Sequence, residues 1–152
     1  MMYNPRIIEG LKSVSEMSRP PGFASGKRTK YIVVKGLAFE RQVKRELIKL
    51  FPDLIVGQWL TFHDVNGTGY AQPDMYAVTE KGVFLFECKT RETPKAFWQL
   101  LNLYKPLLEH MYGRRVYVLQ IVKQATDRKS VHITPEKLFA EPKLDYYVYI
   151  AR

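Results

Sequence analysis

Cysteine occurs once and histidine three times in 152 residues. A lone Cys88 cannot close an intramolecular disulfide, and it excludes a cysteine-built zinc site. The three histidines, His63, His110 and His132, are scattered rather than clustered, which argues against zinc altogether. No apolar run approaches the roughly 18 residues that a membrane-crossing helix needs. The opening stretch MMYNPRIIEGLKSVSEM lacks the apolar centre of a secretory leader. The expected setting is the cytoplasm, or a host cytoplasm were the source viral, with no membrane partner. Internal repeats and low-complexity tracts are missing. The glycine-rich Asn66-Gly67-Thr68-Gly69 is not followed by Gly-Lys-Ser/Thr, so it is no P-loop, and no serine stands in a nucleophile-elbow context.

What is present is basic charge and apolar surface. Hydrophobic residues make up 46% of the chain and aromatics 13%, enough for one globular domain with a substantial core. The net charge is +9, and it is unevenly placed. Residues 1–50 carry eleven Lys and Arg against four Glu, whereas residues 51–152 carry thirteen against eleven acids. A basic excess gathered into one third of a chain suits a polyanion, through phosphate contacts and counterion release. A solvated basic surface with no partner would show the same count.

Periodicity divides the chain. Residues 19–30, RPPGFASGKRTK, combine Pro-Pro, two glycines and four cations and read as a loop or arm. The short piece Ile7 to Met17 reads as a helix. Gly36 to Phe51 is the strongest helix. Phe39, Val43, Leu47 and Leu50 form its core stripe, with Arg41, Lys44, Arg45 and Lys49 mainly on the solvated face. Ile55–Phe62 reads as a strand and HDVNGTG as a loop. Met75–Thr79 and Val83–Lys89 form a hairpin around Glu80-Lys81-Gly82. A helix spans about Pro94 to Tyr112, with a kink or break expected at Pro106. Val116–Val122 reads as a buried strand, Thr134 as the cap of a short helix, and Tyr146–Ile150 as the last strand. The alternation predicts an α/β or α+β fold with one mixed central sheet flanked by helices. Residues 1–34 would be a basic N-terminal segment and 35–152 the globular domain, one domain overall.

The chemistry gathers in YAQPDMYAVTEKGVFLFECKTR, residues 70–91. Strand alternation places Val83, Leu85, Glu87 and Lys89 on one face and Phe84, Phe86 and Cys88 on the other. A turn centred near Lys81 brings Asp74 opposite Glu87, Cys88 or Lys89. Two carboxylates held together resist ionising, and a divalent cation relieves that cost. Oxygen ligands suit Mg²⁺, and Lys89 would supply positive charge beside a bound water or a phosphate oxygen. A cross-strand salt bridge between Lys89 and either acid is the plainer reading of the same triplet. Two other features have plain readings beside functional ones. His63-Asp64 could be a ligand pair, and the aromatics, mostly core or sheet residues, could include one or two that stack on unpaired bases.

Pro73-Asp74, followed thirteen residues later by Glu87-Cys88-Lys89, resembles the PD-(D/E)xK nuclease superfamily. The helix KGLAFERQVKREL resembles the first helix of archaeal-type Holliday-junction resolvases, in which a glutamate at the position of Glu40 helps to bind metal. Gln99, ten residues after Lys89, resembles the glutamine motif of RecB-like and phage-exonuclease-like members. Tyr104 follows it at a spacing of five, one longer than usual in that motif. The resemblance covers about residues 35–122. It implies a restriction-endonuclease-like core and a Mg²⁺- or Mn²⁺-dependent deoxyribonuclease. Asp74, Glu87, Lys89 and Gln99 would form the catalytic set. Glu40, Asp74, Glu87 and the backbone carbonyl of Cys88 would hold the metal. Phosphates would be held by Lys27, Arg28, Lys30, Lys35, Arg41, Lys44 and Arg45. From the residues alone Glu40 could instead pair with Lys44, and Gln99 could satisfy a backbone group.

The expected partner is nucleic acid, DNA in preference to RNA, and a homodimer is compatible with the sequence. A structure-specific endonuclease, an end-dependent RecB-like exonuclease and a non-cleaving binding module on the same fold all remain open.

Overall fold

The computed structural model of the chain describes residues 8–24, 31–91, 94–124, 133–144 and 146–150. Its centre is a five-stranded mixed sheet. The strands are β2 (Ile55–Val56), β5 (Met75–Thr79), β6 (Gly82–Arg91), β7 (Val116–Gln124) and β8 (Tyr146–Ile150), in the order β2-β5-β6-β7-β8. The first three pair antiparallel, and β6, β7 and β8 run parallel. A second, antiparallel sheet has the order β1-β3-β4, from β1 (Ser13–Glu16), β3 (Leu60–Asp64) and β4 (Gly67–Ala71). The helices are α1 (Tyr31–Leu50), α2 (Pro94–Gln99), α3 (Lys105–Tyr112) and α4 (Pro135–Ala140). This α+β arrangement is a restriction-endonuclease-like core. Among the described residues no helix is long and apolar enough to cross a membrane.

Residues Val83 to Glu87 of β6 are buried on both faces, as a parallel crossover requires. On one face Phe84 and Phe86 pack against Phe39, Val43, Leu47 and Phe51 at α1 and its end. Each such apolar side chain contributes about 1.5–3 kcal/mol by leaving water. On the other face Val83 and Leu85 meet Leu100, Leu103, Leu107 and Leu108, and the small sheet adds Leu60 and Phe62 to that layer. The α1 stripe, the β5–β6 hairpin, β7, β8 and the Thr134 cap all stand where periodicity put them. Thr134 Oγ1 accepts the Lys137 N–H at 3.2 Å.

Several expectations are corrected. The best helix begins at Tyr31 rather than Gly36 and ends at Leu50. The segment read as a helix over Ile7–Met17 contains β1, paired antiparallel with β3 from Ser13↔His63 to Glu16↔Leu60. An edge strand with so few apolar residues gains its stability from that distant partner, not from local propensity. The single strand expected over Ile55–Phe62 is two strands in different sheets. Gly57 at φ 63° turns the chain between them. HDVNGTG is not a loop but the tip of the β3–β4 hairpin. The arm expected over 19–30 includes a short 3-10 turn, Gly22–Ala24, whose Phe23 ring packs edge-on against Trp59 and Tyr70. Lys27, Arg28 and Lys30 lie outside the described residues. The irregularity expected at Pro106 falls one turn earlier, as a π-helical segment Leu100–Tyr104 in which the Lys105 N–H bonds Leu100 C=O. Proline lacks an N–H and its ring crowds the carbonyl four residues back, so the preceding turn widens.

Candidate active site

The site forms where the β5–β6 hairpin runs out. Its two-residue turn fixes the register Met75↔Phe86, so the next position places Asp74 beside Glu87. The Asp74 N–H reaches Glu87 Oε2 at 3.4 Å, and Asp74 Oδ2 accepts the Cys88 N–H at 2.9 Å. The aspartate side chain thus continues the ladder after the β5 backbone has left it. In an extended strand the N–H and C=O of one residue point to the same side, so the Cys88 carbonyl faces the Asp74 edge. The Cys88 side chain packs instead with the α1-facing core, and its burial pushes the thiol up.

The two acids interact directly and neither is comfortable. Burial raises Glu87 well above the ordinary carboxylate range, and the charge of Asp74 raises it further, against a smaller lowering by Lys89. Burial also raises Asp74, opposed by the Cys88 N–H and by Lys89. Lys89 stands exposed one alternation beyond Glu87, on the same strand face. Among the described residues it makes no ion pair with either acid, so the plain salt-bridge reading of the triplet is not what the fold adopts. Glu40, half-buried on α1, is raised by burial and then by the charge of Asp74, with Lys89 opposing. It therefore stands within the electrostatic reach of the site. It forms no ion pair with Lys44 among the described residues.

The remaining sequence-derived residues are placed unevenly. Gln99 is half-buried at the last residue of α2, where the helix passes into the π segment. Among the described residues nothing joins its amide to the acids. Lys35 lies on α1, and Arg41, Lys44 and Arg45 are exposed on the same helix. His63 and Asp64 diverge. The His63 ring is exposed and meets Thr68 Oγ1 at 3.0 Å, while Asp64 is buried on the opposite face and binds backbone N–H groups. They are not a ligand pair.

One residue beside the acids escaped the sequence reading. Gln120 sits inside β7 at 0% exposure as the register partner of Glu87. Its Nε2 has no hydrogen-bond partner among the described residues, and an unsatisfied donor costs about 1–3 kcal/mol in a buried amide. The signal for Gln120 was a lone carboxamide in the apolar run VYVLQIV.

Among the described residues no three His, Cys, Asp or Glu side chains cluster closely enough to cage a metal ion. Two carboxylates and a carbonyl nevertheless fit Mg²⁺ or Mn²⁺. These ions favour oxygen donors, and Mg²⁺ commonly keeps several waters and takes only one or two protein carboxylates.

The family profile of the nuclease-related domain, NERD, matches residues 35–140, and the chain belongs to that PD-(D/E)xK-like family. No curated protein and no solved structure gave a significant match. The function is nuclease-related.

Proposed function

We propose that the protein is a metal-dependent deoxyribonuclease, a structure-specific or DNA-processing endonuclease that hydrolyses phosphodiester bonds. The observation that carries this reading is the meeting of half-buried Asp74 and buried Glu87 at the end of the hairpin, with no ion pair to either acid among the described residues. Strongly perturbed acids held together by a specific neighbour are the arrangement expected where a site is to bind positive charge.

Asp74, Glu87 and the Cys88 carbonyl would hold Mg²⁺ or Mn²⁺, with Glu40 as an auxiliary ligand. The bound ion would supply Lewis-acid polarisation of the phosphate and lower the pKa of a coordinated water. Lys89 is exposed beside the acids on the same strand face. It would orient the attacking water and stabilise the negative charge that develops on the phosphate oxygens. Gln99, at the loosened junction of α2, would support Lys89 or that water. Arg41, Lys44 and Arg45 on α1, with Lys35 and the Lys27-Arg28-Lys30 stretch, would hold flanking phosphates. Such contacts position the duplex without reading its bases.

The test is cleavage of labelled single-stranded, linear, nicked, circular and four-way DNA, with Mg²⁺, with Mn²⁺ and with EDTA. Cutting of circular or branched DNA that EDTA stops is the expected result, and Asp74→Ala or Lys89→Ala should abolish it while most binding survives. Cutting from free ends only would make the protein a RecB-like exonuclease. Salt-sensitive binding without cleavage under any metal would make it a binding module. Near wild-type cutting by either variant would overturn the assigned roles.

A further inference from the structure

The parallel ladder between β6 and β7 sets Gln120 directly beside Glu87. Alternation puts Gln120 on the same face of β7 as Val118, which packs with Val83 and Leu85 of the β6 face that carries Glu87. Both side chains are buried, at 0% and 4% exposure. The Tyr146 hydroxyl donates to Gln120 Oε1 at 2.9 Å, and Nε2 is left without a partner among the described residues. Turning the amide over does not help. A phenol can donate or accept, so Tyr146 satisfies one pole of the carboxamide and the other stays unpaired. Buried polar groups are almost always paired, and a methionine would fill this space without the penalty. The acceptor on the adjacent strand is the Glu87 carboxylate, which has two oxygens, meets the Asp74 carboxyl, and takes a long bond of 3.4 Å from the Asp74 N–H.

We infer that Gln120 is a positioning residue whose Nε2–H is held for the Glu87 carboxylate, fixing one oxygen so that the other is presented to a divalent cation. Tyr146 is the clamp that aims the amide. This rests on the reading of Asp74 and Glu87 as metal ligands. A donor supplied from the neighbouring strand orients a ligand carboxylate before the cation arrives, and removing such a donor typically weakens metal affinity or activity by about 10–100-fold.

The experiment is a thermal melt of the DNA-free full chain against Mn²⁺ concentration, beside steady-state cleavage, for wild type, Gln120→Met, Tyr146→Phe and Asp74→Ala. Wild type should be stabilised by Mn²⁺ and Asp74→Ala should not. Gln120→Met should melt at or above the wild-type temperature without metal, because an unpaired donor has been removed. Its Mn²⁺ half-saturation should rise about 10–100-fold, and kcat should fall with KM for DNA unchanged. A Gln120→Met protein with a wild-type Mn²⁺ half-point overturns the inference while leaving the two-acid reading intact. Should Gln120→Met melt below the assay temperature, Tyr146→Phe carries the test. A raised Mn²⁺ half-point supports the inference and an unchanged one overturns it. Absence of any Mn²⁺ response in wild type, with cleavage also absent, fails the underlying ligand reading instead.

Discussion

Asp64 and Glu87 are both acids near strand ends, at 3% and 4% exposure, yet their surroundings differ in kind. Asp64 Oδ1 accepts the Asn66 N–H at 2.9 Å, and Oδ2 accepts the Glu9 N–H at 3.2 Å. Its charge closes the β3–β4 turn and ties the segment before β1 to it. Glu87 meets another acid and a long N–H bond, and the nearest lysine charge stays in solvent. Burial is common to both sites, and what separates them is whether the cost of burial is relieved. A structural carboxylate is surrounded by the donors it needs. On the proposed reading, Glu87 is a carboxylate held for a cation: it is left short of donors, and the cost of its burial would be relieved when the cation binds.

The sharpest way to break this comparison is to neutralise one acid at each place. Asp74→Asn should reduce cleavage by at least about 1,000-fold, as expected when a metal ligand is lost from metal-ion catalysis, and leave the metal-free melting temperature level or higher. Asp64→Ala should do the reverse. It leaves two backbone donors without their charged acceptor, a loss of about 2–4 kcal/mol of stability, while the folded fraction cuts within a few-fold of wild type. Denaturant melts and single-turnover rates on the same samples decide it. Equal losses of rate would erase the distinction.

A smaller effect should follow pH. Glu87, Asp74 and Glu40 all have folded-state pKa values above their ordinary ones, chiefly through burial. A carboxyl of that kind takes up protons more readily folded than unfolded. Its contribution to stability is fully present below the unfolded value and is lost as pH rises through the raised one. The metal-free protein should therefore melt lower as pH rises from the ordinary carboxylate range toward pH 8, at about 2–4 °C per kcal/mol for a chain of this size. Glu87→Gln should flatten the trend, and saturating Mg²⁺ should do the same. A wild-type melting temperature that falls on acidification over that range would count against the strained pair.

The smallest expected change separates holding from cutting. Arg41→Ala or Arg45→Ala on the exposed side of α1 should weaken DNA binding. Each should also reduce the slope of log affinity against log salt by about one for every phosphate no longer neutralised. The single-turnover rate at saturating DNA should not move. Fluorescence anisotropy across a salt series reads the first quantity, and quench-flow reads the second.

Most of the acid site was legible because it is local. Only the length of the Glu80-Lys81 turn and the alternation along β6 are needed to bring Asp74 to Glu87. The α1 stripe was legible for the same reason, since Phe39, Val43 and Leu47 lie within turns of one another. What escaped depends on partners far along the chain. Ser13–Glu16 becomes a strand by pairing with residues nearly fifty positions on, and nothing in SVSE announces it. The division at Gly57 depends on a positive φ that a glycine permits but does not demand. Gln120 adjoins Glu87 only through a parallel register closed by the helices between β6 and β7, so an isolated polar letter in VYVLQIV carried no address.

The two-residue turn between β5 and β6 also orders events in time. A hairpin closes in about 1–10 μs, whereas a parallel strand arriving after an intervening helix is a non-local step and slower. The acids can thus be brought face to face before β7 lies down beside them, while water still surrounds both charges and their repulsion is weak. Docking of β7 covers one flank of Glu87, so the barrier to completing the sheet should carry part of the electrostatic penalty. A divalent ion present during refolding would then speed the final closure rather than the first.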